Sequence, residues 1–430
     1  MGTLDYRTKT MFIETENPSV DGYWGMGIDI GYSGTKIFAP NSCDVFPTFA
    51  VQMNGPILDS FKFNDPSLIY YREDKNSPVW CVGRKAQNTA TVDSPEACSE
   101  AIYKRLRYNE PSFKVVARTA MAIATTQNGC GDCSGKELHV MSGLPNEYMD
   151  DAPSLKAVFA GKHSFDIKIG DNHWEHRDID IADNVHIMPQ PLGTLTSMTV
   201  DNRGKDTAEL QELFTKISIV IDPGFITLDT FVLSGGVLKE RYSFDNLGMH
   251  EVLLRTSKEI KLRYDVNIPV PLMQKALEEG FVEQFNTVTR ETVNIPFDDI
   301  LRAKSKEVCE EAITRIRDRY NQLLGIDYVI LTGGTGEAWY DSFFDDLKGI
   351  QRLNNHIFKG NRNTNGFFIN SNSPYFTKGY IFRDLLNGDK SKISISNNSK
   401  ESALPFLFGN ARGYYYFLNK MLRSNSSKVA

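Results

Sequence analysis

The sequence predicts an α/β protein made of two related halves, and three stretches carry that prediction. The first is "GMGIDIGYSGTKIFAPN" at 25–41, an apolar strand that stops at an aspartate, turns on glycines and returns as a second apolar run. The second, "VIDPGFITLDTFVLSGG" at 220–236, repeats that grammar beyond the midpoint of the chain. The third is "VILTGGTGE" at 329–337, a buried strand ending in a glycine-rich loop.

Composition sets the frame for these motifs. At 430 residues the chain exceeds one ordinary domain, and 41% hydrophobic with 24% charged residues describes a globular protein with sizeable cores. A formal net charge of -6 argues against gripping nucleic acid through overall charge, because phosphate binding needs a concentrated basic surface. No stretch approaches the ~20 apolar residues of a membrane span. The start "MGTLDYRTKTMFIETE" lacks a secretory pattern, and Tyr6 stands where a myristoylation motif wants Ser or Thr. A cytoplasmic protein is expected, with no membrane and no direct nucleic-acid partner.

Six cysteines at 43, 81, 98, 130, 133 and 309 read as reduced thiols. Cys130 and Cys133 form one CxxC, but a structural zinc site needs a second pair, so a glycine-rich turn is expected there. His173 and His176 in "NHWEH" match no metal-ligand spacing and suggest a hairpin.

Element by element, residues 1–22 are polar and read as an N-terminal arm. "GMGIDI", "TKIFA" and "VFPTFAV" read as extended segments, and 52–110 as a mixed lobe rich in aromatics and turns. A helix is expected over 111–126, where Val115, Val116, Ala120 and Ala124 recur at roughly 3.6-residue spacing. "ELHVMSGLP" reads as a strand, and "IDIADNVHIMPQPLGTL" as strand, loop and helix start. The second half repeats the scheme: three strands from 217, a helix-rich region over 246–320, then the strand and loop of "DYVILTGGTGE". Val308, Ala312, Ile316 and Tyr320 fall on one helix face. Asn-, Ser- and Gly-rich segments within 360–400 read as a surface insertion, and the chain closes on the helical "ARGYYYFLNKMLRS".

Strand–glycine turn–strand hairpins suit phosphate, because consecutive backbone N–H groups can form an anion-binding nest. In the first copy, Gly31 and Gly34 are expected to supply the bends, while the amides near Tyr32 and Ser33 and the Lys36 ammonium meet phosphates. Asp29, at the strand end, would hold a hydrated Mg²⁺. One hairpin alone is an ordinary turn with a surface Asp and Lys. A second copy implies two halves facing each other across a cleft, with Asp29 and Asp222 sharing metal and water duty. Asp222 through Thr227 aligns with Asp29 through Thr35 once one turn residue is dropped. Neither a Walker A loop nor a dinucleotide fingerprint is present: the third glycine falls at 31, and no helix follows.

The ordered set resembles the actin/chaperone/hexokinase ATPase superfamily, with phosphate 1 at 28–36, connect 1 at 188–194, phosphate 2 at 221–230 and adenosine at 330–336. "VFPTFAV", "WCVGRKAQN", "VMSGLPNEY", "IMPQPLGTL" and "GNARGYYYFLNK" look like the bacterial plasmid-segregation actins of the ParM (StbA-like) group. The resemblance spans about 24–420. It implies an actin-like fold: two similar α/β domains, each with a smaller subdomain, around a nucleotide cleft. Domain I would cover 23–200 and regain the terminal helix 404–425; domain II would cover 201–403, including the 360–400 insertion.

The same resemblance implies ATP, with GTP as the alternative, and Mg²⁺ as cofactors. It makes Asp29 and Asp222 metal-side and catalytic carboxylates, and Gln190 the residue that orients the attacking water. Gly31, Tyr32, Ser33 and Lys36, then Gly224, Phe225 and Thr227, would hold phosphates, and Gly333, Gly334 and Thr335 the nucleoside. The second hairpin departs from the family pattern at Pro223, Phe225 and Ile226. The implied function is a polymerising ATPase, binding itself in filaments and plasmid DNA through an adaptor protein. A small-molecule kinase of the superfamily would need an acidic base at connect 1, where this chain has Gln190. A membrane-tethered relative would use an amphipathic terminal helix.

Overall fold

The computed structural model describes residues 3–53, 65, 67–89, 105–170, 172–201, 203–206, 215–326, 328–348, 368–370, 393–395 and 404–429. The chain divides into two compact units. The first-half unit comprises Thr8–Thr207, Thr377–Asn398 and Phe408–Ala430. The second-half unit comprises Met1–Arg7, Ala208–Phe376 and Ser399–Leu407.

The first-half unit is organised on a seven-stranded sheet, in the order β11-β8-β2-β3-β4-β1-β19. These strands are β1 (Met11–Glu14), β2 (Tyr23–Ile30), β3 (Gly34–Ala39), β4 (Ser42–Pro47), β8 (Glu137–Leu144), β11 (Val185–Pro189) and β19 (Ile393–Ile395). β2, β3 and β4 form an antiparallel meander, whereas β8 and β11 add in parallel on the other side of β2. β2 is buried on both faces, as its near-continuous apolar run requires. A smaller sheet holds β5 (Ala50–Gln52), β6 (Ile69–Arg72), β7 (Trp80–Val82), β9 (Gly161–Ile169) and β10 (Glu175–Ala182). The β9–β10 hairpin contains the "NHWEH" run, and His176 pairs with Asp166 at 2.9 Å.

Among the described residues, four helices serve this unit before the chain leaves it: α1 (Arg84–Thr89), α2 (Pro111–Ala124), α3 (Ala152–Phe159) and α4 (Gln190–Thr199). α2 starts on a proline, which needs no N–H there, and buries Val115, Val116, Ala120 and Ala124. The Trp24 indole N–H then donates to the Ala124 carbonyl at 2.9 Å, fixing the helix end to β2.

The second-half unit repeats the pattern. Its five-stranded sheet has the order β14-β13-β12-β17-β18, from β12 (Ile217–Pro223), β13 (Thr227–Ser234), β14 (Val237–Asp245), β17 (Tyr328–Leu331) and β18 (Phe368–Asn370). Again an antiparallel three-strand meander is followed by two parallel strands on its far side. The helices are α5 (Met249–Tyr264), α6 (Val270–Glu279), α7 (Asp298–Arg319) and α8 (Gly334–Lys348). Val308, Ala312, Ile316 and Tyr320 are all buried in one core with Ile219, Ile221 and Leu331.

Several features depart from the local reading of the chain. The 246–320 region also contains a two-stranded ribbon, β15 (Phe281–Asn286) with β16 (Glu291–Pro296). The expected N-terminal arm contains two regular elements, a 3-10 turn at Thr3–Tyr6 and β1. Arg7 is buried, pairs with Glu278 at 3.0 Å and donates to the Gln274 carbonyl, while β1 joins the first-half sheet. Of the 360–400 segment only β18 and β19 are described, each an edge strand; the remainder, like Cys98, lies outside the described residues. Cys130 and Cys133 occupy the expected turn, where Asn128 and Gly131 bridge and the Cys133 thiol meets the Thr125 carbonyl at 3.6 Å. The last helix, α9 (Leu404–Val429), packs in the first-half unit, where Arg412 is fully buried against the Ser197 and Val200 carbonyls.

Beside β1, Asp44 is buried and accepts the Ile13 N–H at 3.1 Å. Burial pushes its carboxyl up to about 7, against the pull of the Ile13 hydrogen bond. The folded chain therefore holds this proton more tightly than the unfolded chain does. That contribution to stability is complete below about pH 4 and is lost as pH rises through 7. Asp44→Asn is expected to flatten the decline in unfolding free energy between pH 5 and pH 8, by about 3 kcal/mol. Urea titrations of both proteins across that range provide the measurement. Parallel pH profiles for wild type and variant would rule out Asp44 as the source.

Candidate functional site

Each unit carries one candidate hairpin, and the two hairpins are built alike. In the first, Gly31 N–H donates to the Gly34 carbonyl at 3.1 Å, closing a turn whose tip is Tyr32-Ser33. In the second, Gly224 N–H donates to the Thr227 carbonyl at 2.8 Å, with Phe225-Ile226 at the tip. Both turns span the same number of residues, so no residue is dropped between the copies. This corrects the expected alignment: Thr227 is the counterpart of Gly34, not of Thr35.

The ladder registers extend that correspondence. Asp29 faces Lys36 across β2–β3, and Asp222 faces Asp229 across β12–β13. Where the first hairpin has a lysine, the second has a carboxylate. Asp229 was not legible as a site residue because a shifted alignment hid its equivalence to Lys36. The available signal was its spacing, seven residues after Asp222 in both copies.

In the first-half unit, Asp29 is buried and holds two partners. Lys36 Nζ lies 3.2 Å from its Oδ2, and the Gln190 side-chain amide donates to its Oδ1 at 3.2 Å. Gln190 comes from α4, 161 residues further along the chain. It opens that helix without capping it, because its amide is turned to Asp29. With the N–H₂ group committed, the Gln190 carbonyl oxygen remains the end suited to accept a hydrogen bond from water. Gly31 does not supply a left-handed bend. Instead a Cβ there would fall 2.8 Å from Lys36 Nζ, so its missing side chain makes room for the ammonium. Ser33 anchors the turn from its carbonyl, which accepts the Thr48 N–H at 2.9 Å.

In the second-half unit, the second hairpin and the glycine-rich loop after β17 are bonded to each other. Thr335 Oγ1 donates to the Gly224 carbonyl at 2.7 Å, and Thr332 N–H to the Ile221 carbonyl at 2.9 Å. Gly333 has φ +79°, and a Cβ there would fall 2.2 Å from Asp222 Oδ1, so only glycine fits between the loop and that carboxylate. Gly334 follows as the first residue of α8. Phe225 packs on the core and meets His250 edge-on at 5.8 Å, and its carbonyl accepts the His250 N–H at 2.7 Å. Burial holds the His250 imidazole below its usual pKa, so it sits there as a neutral ring.

Asp229 is satisfied by hydroxyls: Thr227 Oγ1 donates to Oδ2 at 3.2 Å and Ser243 Oγ to Oδ1. Two buried carboxylates opposite one another across a ladder repel, and a divalent cation would relieve that repulsion. The donor set is all oxygen, which suits Mg²⁺. Among the described residues no group of three or more His, Cys, Asp or Glu gathers to hold a metal unaided. Waters and phosphate oxygens would complete such a shell, as Mg²⁺ prefers. No helix among the described residues is long and apolar enough to cross a membrane.

Comparison with known proteins agrees with this architecture. Residues 27–193 match the family of actin-like protein N-terminal domains. No curated protein sequence matches the chain. Among solved structures, a 15-stranded ParM filament from Clostridium botulinum is similar with a TM-score of 0.62 at 17% identity, covering 93% of this chain and 99% of that one. An archaeal actin homologue, Ta0583, superposes with a TM-score of 0.57 at 15% identity, over 93% and 99% of the two chains. The actin-like protein Alp7A gives 0.58 at 14% identity, over 94% and 99%. The duplicated sheet, the paired hairpins and these similarities lead to one assignment: the protein has the actin-like fold, and its residues 27–193 are similar to actin-like N-terminal domains.

Proposed function

We propose that the protein is a nucleotide-dependent, polymerising actin-like ATPase of the ParM type, whose filaments move plasmid DNA through a DNA-binding adaptor. The observation that carries this reading is the joined set of Asp29, Lys36 and Gln190 on the phosphate-1 hairpin. Asp29 orients the Gln190 amide, and the Gln190 carbonyl orients water, which is the positioning that phosphoryl transfer to water requires. A glutamine cannot take the proton of a substrate hydroxyl at neutral pH, so the same geometry disfavours a small-molecule kinase. Asp222 and Asp229 would hold Mg²⁺ with its waters, and Gly224, Phe225 and Thr227 would present backbone to phosphate. Gly333, Gly334 and Thr335 would border the nucleoside. Mg²⁺, when bound, neutralises charge on the phosphate oxygens.

Support for assembly and for nucleotide comes from the similar structures: two are filaments, one of a ParM and one of Alp12, and an archaeal actin homologue is in complex with ADP. The formal net charge of -6 suits an indirect link to DNA. Pelleting and light scattering with ATP, ADP and a non-hydrolysable analogue test the proposal. Assembly is expected with ATP and the analogue, with slower or weaker assembly in ADP. A chain that stays monomeric at tens of micromolar with all three nucleotides would refute polymerisation.

A further inference from the structure

The phosphate-1 turn has a buried cation behind it that the reading above does not use. Arg107 opens a 3-10 turn, Arg107–Asn109, directly before α2, and is 5% exposed. Its Nη2 donates to the Ile30 carbonyl at 2.6 Å, between Asp29 and Gly31 in the chain. Its guanidinium carbon lies 4.2 Å over the Tyr32 ring, at the tip of the turn, with the Phe113 ring at 5.3 Å and the Tyr108 ring at 6.0 Å. Nη1 is buried and has no hydrogen-bond partner among the described residues.

We infer that Arg107 is a positioning residue for the phosphate-1 turn, shaping it to receive the phosphates of a nucleotide; this rests on the nucleotide-binding reading. The Ile30 carbonyl and the Gly31 N–H belong to one planar peptide unit, so fixing the carbonyl fixes the direction of that N–H. The Gly31 N–H is the one that closes the turn on Gly34. The stacked ring fixes Tyr32, whose backbone lies at the tip. One guanidinium therefore constrains the turn from both its entry and its apex. Arginine suits the task because its planar fork can stack and donate at once, which an ammonium cannot. A buried cation with an unused N–H is costly, and three aromatic faces offset only part of that cost. An anion taken up at the turn would supply charge of the opposite sign, with little screening inside the protein.

Calorimetric titration of wild type, Arg107→Met and Arg107→Lys with ATP, ADP and adenosine is the test. Arg107→Met is expected to weaken ATP and ADP about tenfold, while adenosine affinity stays within about twofold. Arg107→Lys, which keeps charge but not the stacked fork, should recover only part of the loss. Tyr32→Leu removes the stacked ring while leaving Arg107 in the chain, and should show the same phosphate-selective weakening if Arg107→Met fails to fold. Equal weakening of ATP and adenosine, or no change in either, overturns the positioning role. A wild-type chain that binds neither ATP nor adenosine overturns the nucleotide reading itself, and the inference with it.

Discussion

Gln190→Ala is expected to slow phosphate release from ATP about a hundredfold while assembly with ATP persists. The side-chain amide donates to Asp29 at 3.2 Å. Removing it leaves Asp29 with Lys36, so the hairpin keeps its ion pair and the phosphate site keeps its shape. On the proposed mechanism the carbonyl that would hold water in line is lost, an interaction made chiefly in the transition state, so kcat should fall with little change in nucleotide affinity. Filaments should then persist longer, because release of phosphate is the step that would limit their lifetime. Coupled phosphate assays alongside light-scattering decay measure both quantities. Unchanged release would remove Gln190 from the mechanism, and loss of assembly together with release would mean that its role is structural.

Gly413→Ala should produce a large loss of stability. Gly413 lies in α9 against Gly193 of α4, and a Cβ there would fall 1.7 Å from the Gly193 carbonyl oxygen. The neighbouring contacts cannot yield easily. Gly27 of β2 meets the Ala411 carbonyl with 2.2 Å for an added Cβ, and Gly143 of β8 meets the Tyr414 hydroxyl at 2.1 Å. Buried Arg412 also holds the helix to the Ser197 and Val200 carbonyls. An alanine in a helix interior is otherwise favourable over glycine by about 1 kcal/mol, so any destabilisation reports the clash. Overpacking of a close backbone contact is expected to cost about 3 kcal/mol or more. Because α4 begins with Gln190, displacing α9 should also disturb that residue's bond to Asp29. Thermal and urea denaturation followed with a phosphate assay test this; a variant as stable as wild type would show that the helices separate freely.

The sequence by itself determined the elements and their kinds. Alternating or continuous apolar runs named β2, β3, β12, β13 and β17, and the four-residue spacing of Val308, Ala312, Ile316 and Tyr320 named the buried face of α7. These are local signals, set by backbone period and solvent, so they survive without knowledge of the partner. The order of the hairpins and the glycine-rich loop was enough to point to the actin-like fold. Only the tertiary structure decided which residues meet. Gln190 reaches Asp29 across 161 positions and Arg107 reaches Ile30 across 77, distances over which no periodicity carries information. The pairing of Asp222 with Asp229 followed from ladder register, which one misplaced residue in a turn had concealed. The ribbon of β15 and β16 escaped notice because Phe285, Val288 and Val293 are exposed, so its pattern of burial does not alternate as a half-buried strand's would. The glycines Gly27 in β2 and Gly193 in α4 carried no packing signal in the sequence. Their reason is the close approach of α9, a segment more than two hundred residues away, packed where no side chain fits.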